Sequence, residues 1–311
     1  MPGGDSTPSL FPEPEIPPVP APRGFTRFGT ATWNYPGWRG IVFPVRSPEN
    51  MSSAERLALY ASSGRFDTVE ADFTFYRPQS ADEWRRWGSA LPAGFPVVSK
   101  VWEEITCERF PKIGRHGARA GEPNPKFLDA EAFRREVLDP AEEGFGDHLG
   151  PFVFEFGRDA RPGPERKARF RDALDRFLGA LPRHRRYAAE IRTREYLDAE
   201  HIALLRTHGV SPVLNWWTHM PELSEQFAVP GAAEADFWLA RVLVAPGRPY
   251  ADAVKFFTPY DRIKEEHPEM RADAARIARE AEKKRKEFFL IVNNRAEGSA
   301  PYTIDAIRKM I

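Results

Sequence analysis

PVVSKVW, residues 96–102, is apolar on both faces until it meets Lys100, with Trp102 closing it. Seven further runs are built alike: FGTATWN (28–34), TVEADFTFY (68–76), PFVFEF (151–156), RYAAEIR (186–192), PVLNWW (212–217), WLARVLV (238–244) and FFLIVNN (288–294). Nearly every one ends in a charged or amide residue, and amphipathic stretches long enough for helices separate most of them. Strands apolar on both faces need cover on both sides, which a helix-wrapped parallel sheet supplies. Eight strand–helix units predict a single-domain α/β fold, a closed (β/α)8 barrel of the TIM type. Its C-terminal strand ends form one mouth, where Trp33, Glu70, Asp72, Lys100, Glu155, Glu190, Arg192, Asn215, Arg241 and Asn293 are expected to converge.

The intervening segments carry helix punctuation. Ser52 with Glu55 and Ser80 with Glu83 read as capping boxes, and Gly64 closes the first helix. PERKARFRDALDRFLGALP (164–182) places Phe170, Leu174, Phe177, Leu178 and Leu181 on one face. Asp198 caps AEHIALLRTHG and Gly209 stops it, while 271–287 and 302–311 supply the last two helices. The connection 103–149 is far longer than the rest. It predicts a helix around 129–138 and a loop folded over the mouth, and 245–269, with Arg248, Tyr250, Phe256, Phe257 and Tyr260, predicts a second lid.

Composition bounds the function. Lys plus Arg and Asp plus Glu both number 45, so no global field draws the chain to nucleic acid or anionic lipid. A single cysteine, Cys107, excludes an intramolecular disulfide, fits a reducing cytoplasm and reads as an inert thiol. No apolar stretch approaches transmembrane length and no secretory signal opens the chain, so neither membrane nor export is expected. Residues 1–24 carry eight prolines and read as a disordered or polyproline-like tail.

Alternate residues of a strand share a face, which pairs Glu70 with Asp72 and Glu190 with Arg192. Facing outward they would bury charge under apolar helices, so they are expected to face the barrel interior near the solvated mouth. Two carboxylates on one strand raise each other's pKa unless cations such as Lys100 and Arg192 compensate. These are the parts of an acid–base site: Glu70, Glu190 and Lys100 as reacting groups, with Arg192 holding an anion. The alternative is a salt-bridge lattice that fills the mouth. Lys100 as a Schiff-base former is the weaker reading, since nothing marks it as desolvated. Aromatics gather at the same end, namely Trp33, Tyr35, Trp38, Phe75, Tyr76, Trp102, Trp216 and Trp217, and suit sugar rings or unpaired bases as well as core packing.

The expected ligand is a small polar or sugar-like molecule. The alternatives are nucleic acid, for which RFPKIGRHGAR (109–119) and RHRR (183–186) would hold phosphates, and a non-catalytic binding or scaffold role. No cofactor is expected. His201 and His208 read as surface residues, and a carboxylate-only Mg²⁺ or Mn²⁺ site at Glu70, Asp72 and Glu155 is the only metal arrangement the pattern offers. GFGDHLG (144–150) precedes a strand and fails as a phosphate loop.

From about residue 27 onward the chain resembles the YecE-like family, domain of unknown function 72. The resemblance rests on GTATWNYPGWRGIVFP, LALYASSGRFDTVEADFTFYRPQS, FPVVSKVWEEIT, HLGPFVFEF, the FLGALP helix end, RYAAEIRTREYL and IVNNRAEGSAP in order. It implies a TIM-type barrel, no established reaction, and recurrent polar residues at Trp33, Glu70, Tyr76, Lys100, Glu190, Arg192 and Asn294. It also implies two departures: Glu155 stands where relatives usually show glutamine, and Asn215 where many show aspartate. An added carboxylate at Glu155 needs a cation, and Lys100 on the adjacent strand is the expected partner, with Asn215 facing the same cavity.

Overall fold

The computed structural model describes residues 24–44 and 50–311. The proline-rich tail expected over 1–24 lies outside them except for Gly24. Eight strands form one parallel sheet: β1 (Thr26–Thr30), β2 (Val69–Ala71), β3 (Val97–Lys100), β4 (Leu149–Phe156), β5 (Tyr187–Ile191), β6 (Val210–Trp216), β7 (Trp238–Val242) and β8 (Phe288–Val292). Their order, β1-β8-β7-β6-β5-β4-β3-β2, runs once around a nearly closed (β/α)8 barrel. Each of the eight sequence runs overlaps a strand.

The strand alternation sorts the two sides of the sheet. Val98, Val153, Ala188, Val213, Leu239, Phe289 and Ile291, with Ala31 and Phe237, fill the barrel as one buried cluster. Their neighbours on the same strands point outward and pack under the helices in the larger core. Inward residues one step further along, at the C-terminal ends, are the polar ones: Glu70, Lys100, Glu155, Glu190, Asn215 and Arg241.

The seam between β1 and β2 is closed differently from the others. The Asp67 amide donates to Phe28 O at 2.8 Å. Tyr60, from the helix Ser53–Ser62, is fully buried with its hydroxyl between the two strands. It accepts from the Thr30 N–H at 3.0 Å and donates to Thr68 O at 3.1 Å. A side chain thus satisfies backbone groups that elsewhere pair with a neighbouring strand.

Both capping boxes form, Ser52 with Glu55 and Ser80 with Glu83. Asp198 accepts from the His201 amide, and Gly209 takes the positive φ that ends that helix. Two expectations need correction. The strand at 68–76 stops at Ala71, and Asp72–Phe75 turns into a 3-10 helix in which the Thr74 hydroxyl, 2.6 Å from both Ala71 O and Lys100 O, draws the chain inward. His201 is not on the surface: it is buried beside Phe170, neither ring nitrogen has a partner, and burial lowers its pKa to about 4.

The helix expected around 129–138 is longer, running over 130–145 with a π turn at Arg134–Leu138. No described helix is long and apolar enough to cross a membrane.

Candidate active site at the barrel mouth

Arg241, at the end of β7, organises the mouth. Its Nη2 lies 2.8 Å from Glu70 Oε1, and its Nη1 lies 2.8 Å from Glu155 Oε2 and also bonds Glu190. Arg192 repeats the motif one level higher, with Nε 2.7 Å from Glu190 Oε1 and Nη2 2.8 Å from Glu155 Oε2. Lys100 Nζ sits 3.0 Å from Glu155 Oε2 and 3.0 Å from Asp72 Oδ1. One oxygen of Glu155 therefore meets three cations. The expected Glu155–Lys100 contact is present, and β4 and β5 bring Glu155 and Glu190 into register.

Three cations face four carboxylates, and burial decides their protonation. Burial pushes Glu70 up to about 7, only partly offset by Arg241 and Lys100. Desolvation thus matters more for Glu70 than the repulsion from Asp72 expected from the sequence. Arg241 Nη2 is close to Glu70 Oε1, but its N–H is not aimed there, so that oxygen lacks a well-directed donor. Burial also opposes the charge of Glu155, yet Arg192, Lys100 and Arg241 outweigh it and hold the carboxyl well below its usual range. For Lys100, Glu155 and Asp72 overcome desolvation and raise the pKa, so the amine stays protonated. A protonated amine is not a nucleophile, which counts against Schiff-base chemistry.

Other expected residues divide between floor, rim and core. Asn215 is fully buried beside Arg241, with Nδ2 donating to Ile191 O at 2.9 Å and Oδ1 unpartnered. Asn293 follows β8 and accepts from the Arg295 amide at 3.0 Å. Tyr76 is half-exposed at the rim.

Trp33 and Asn294 do not join the cluster. Trp33 is buried against Phe73 and Trp87 and donates to Ser53 O at 2.8 Å. Asn294 Oδ1 binds the Ala300 amide at 2.8 Å and Trp38 Nε1 at 3.2 Å, fastening the loop after β8. Trp38 and Trp216 are likewise core residues. Among the described residues no group of three His, Cys, Asp or Glu side chains is arranged to hold a metal ion. The carboxylates named for such a site, Glu70, Asp72 and Glu155, are instead engaged by Arg241 and Lys100.

Above the charged floor the rim alternates cations with aromatic faces. Lys100 lies 3.9 Å from the Phe75 centroid, Arg192 4.3 Å from Trp217, Lys126 4.3 Å from Trp102, Arg295 4.7 Å from Tyr250 and Arg115 5.2 Å from Tyr76. Both long connections contribute, Arg115 and Lys126 from the first and Tyr250 from the second. Arg295 escaped the sequence reading because it lies three residues beyond the end of β8, where strand alternation no longer assigns a face. Cys107 is bonded by Asn124 in the first connection, and burial pushes its thiol up to about 11.

A cavity of about 350 Å³ opens at the opposite, N-terminal end of the barrel, lined by Arg183, Tyr187, His208, Phe237 and Glu287 among others. It is remote from the cluster.

Solved structures of the same fold include a DUF72 family protein of Enterococcus faecalis V583, 18% identical over 92% of this chain and 94% of that one, with a TM-score of 0.61. A DUF72 family protein of Thermotoga maritima MSB8 is 19% identical over 92% of this chain and 98% of its own, with a TM-score of 0.61. At these identities the likeness concerns the fold. No curated protein matches the chain by sequence. Residues 27–311 match the family described as Protein of unknown function DUF72, and the chain belongs to that family.

Proposed function

We propose that the barrel mouth belongs to a cytoplasmic enzyme acting by acid–base chemistry on a small polar or sugar-like substrate. One observation carries this reading: the charge lattice is sealed at Glu70 and Glu190 but opens at Asp72, 3.0 Å from Lys100, and to a lesser degree at Arg192. The Asp72 side chain is 36% exposed, against 0% for Glu70 and Glu190. Substrate then meets Asp72 and Lys100, while Arg192, backed by Trp217, holds an anionic group and Tyr76 borders the ring. Glu70 and Glu190 act through Arg241 as positioning residues, and Glu70 is also the group that changes protonation near neutrality. Asn215, Glu155 and Asn293 shape the floor.

The test is a thermal-shift screen of sugars, sugar phosphates and nucleotides on the wild type, Asp72→Asn and Lys100→Met. Compounds that stabilise only the wild type, and that are converted on incubation, support the proposal. Equal stabilisation of all three proteins refutes it.

A second reading, a non-catalytic small-ligand binder, is favoured by the complete pairing of Lys100, Arg192 and Arg241 with carboxylates. It predicts the same stabilisation with the ligand recovered unchanged. For nucleic acid the geometry is less favourable. The basic run 109–119 follows β3 at the mouth and 183–186 precedes β5 at the opposite end, so the two do not form one phosphate track.

A further inference from the structure

We infer that Arg295 joins Arg192 in binding the anionic group of the ligand at the mouth and that this group is a phosphate or a carboxylate. This rests on the mouth being a ligand site and adds the class of ligand. Lys100, Arg192 and Arg241 each have a carboxylate within hydrogen-bond reach. Arg295 has none among the described residues. Its Nε is buried and without a hydrogen-bond partner. The guanidinium lies over the face of Tyr250, and the Asn293 side chain fixes its backbone at the end of β8.

Ring contacts place this group at the mouth: Arg295 lies over Tyr250, the Tyr250 ring is 6.3 Å from that of Trp217, and Arg192 lies over Trp217. Burial raises the Tyr35 phenol pKa, Arg295 opposes the rise, and Tyr260, Asp72 and Tyr250 add to it. Burial raises the Tyr76 phenol pKa as well, with Asp72 and Tyr250 adding to the rise and Lys100 opposing it. Arg295, Tyr35, Tyr250, Tyr76, Asp72 and Lys100 therefore share one neighbourhood. Guanidinium is a planar fork that matches a carboxylate or a phosphate with two parallel hydrogen bonds. Once the contacts that seal Nε give way, a ligand oxygen on Nε–H would satisfy a donor that otherwise stays buried and unmet. Tyr250, half-exposed on the second connection, then covers the bound group from the solvent side.

Calorimetric titration of inorganic phosphate and, separately, acetate into the full chain tests this. The wild type should bind at least one, and the tighter of the two identifies the group. Arg295→Met should weaken binding about tenfold or more, with Arg295→Lys between it and the wild type. Arg158→Met is the control: Arg158 is an exposed cation following β4, bonded to His219 at 3.3 Å, and its loss should leave the affinity within about twofold. Circular dichroism verifies that each variant is folded. Absence of anion binding in the wild type, or undiminished binding by Arg295→Met, overturns the inference. Should Lys100→Met abolish anion binding while Arg295→Met does not, the acid–base reading survives and the role of Arg295 falls. Should sugars stabilise Asp72→Asn and Lys100→Met as well as the wild type while phosphate still depends on Arg295, the acid–base reading falls and Arg295 stands.

Discussion

Replacing Arg241 by methionine keeps length and apolar volume but removes the cation at the centre of the lattice. The consequences differ by partner. Glu155 retains Lys100 and Arg192, and Glu190 retains Arg192, whereas Glu70 has no other cation within 4 Å among the described residues. Breaking a buried pair in this way typically costs about 3–5 kcal/mol. For a domain of this size that is a fall in Tm of roughly 5–10 °C. The cost should depend on pH, because Glu70 can escape by taking a proton. Its folded pKa is raised to about 7. The folded state then holds a proton that the unfolded chain has released, so stability falls as pH rises from the unfolded value towards 7 and levels off above it. Without Arg241 the folded pKa moves higher still and the decline continues beyond 7.

Between pH 7 and 8.5 the variant should therefore lose up to about 1.6 kcal/mol more than the wild type, which itself loses only about 0.4 kcal/mol there. Urea unfolding followed by tryptophan fluorescence at several pH values measures both quantities. A loss below about 1 kcal/mol at pH 8.5, or a penalty that does not grow with pH, would show that Glu70 does not depend on Arg241.

Three further expectations follow from particular contacts. Tyr60→Phe leaves the Thr30 N–H and Thr68 O unpaired inside the seam and should cost roughly 2–4 kcal/mol, with faster hydrogen exchange at the Thr30 amide; unchanged exchange there would contradict the bridging role. Ser80→Ala removes one half of a capping box and should cost about 1 kcal/mol in urea unfolding, with the helix Ala81–Gly88 otherwise intact by circular dichroism. Cys107, with a thiol pushed up to about 11, should react with a disulfide reagent at pH 7.5 far more slowly than free cysteine, and an equal rate would refute its burial.

The barrel was readable because the two strand faces differ so little in polarity: a run such as FFLIV needs cover on both sides whatever follows it. The same alternation reached into the site as far as the strands reach. Glu70, Lys100, Glu155, Glu190, Arg192, Asn215 and Arg241 all lie within a residue of a strand end, and their convergence was legible. Beyond that point the rule fails for local reasons. Asp72 left the strand where a threonine hydroxyl two residues later, that of Thr74, found the carbonyls of Ala71 and Lys100 to bind. Trp33 turned back onto a helix where its N–H could reach Ser53. Asn293 and Asn294 both follow the last residue of β8, so alternation did not tell them apart, and only the turn sends Asn294 to the Ala300 amide and Trp38. Arg295 had no signal either, since its position depends on a turn that no strand pattern specifies. Protonation was the least legible property: Glu70 and Asp72 look equivalent in TVEAD, and only their unequal burial sets them apart.

The way β1 is held bears on how the protein is made. Its only strand ladder among the described residues is to β8, from Thr26 opposite Phe288 to Thr30 opposite Val292. During synthesis the first strand leaves the ribosome about 260 residues before its partner, which at 5–20 residues per second is a wait of roughly 13–50 s. Until then the Tyr60 hydroxyl has Thr68 to bind but no seated strand to bridge. The nascent chain consequently carries an open sheet edge and an unclaimed apolar strand through most of translation, and the barrel closes only when the C-terminal run emerges.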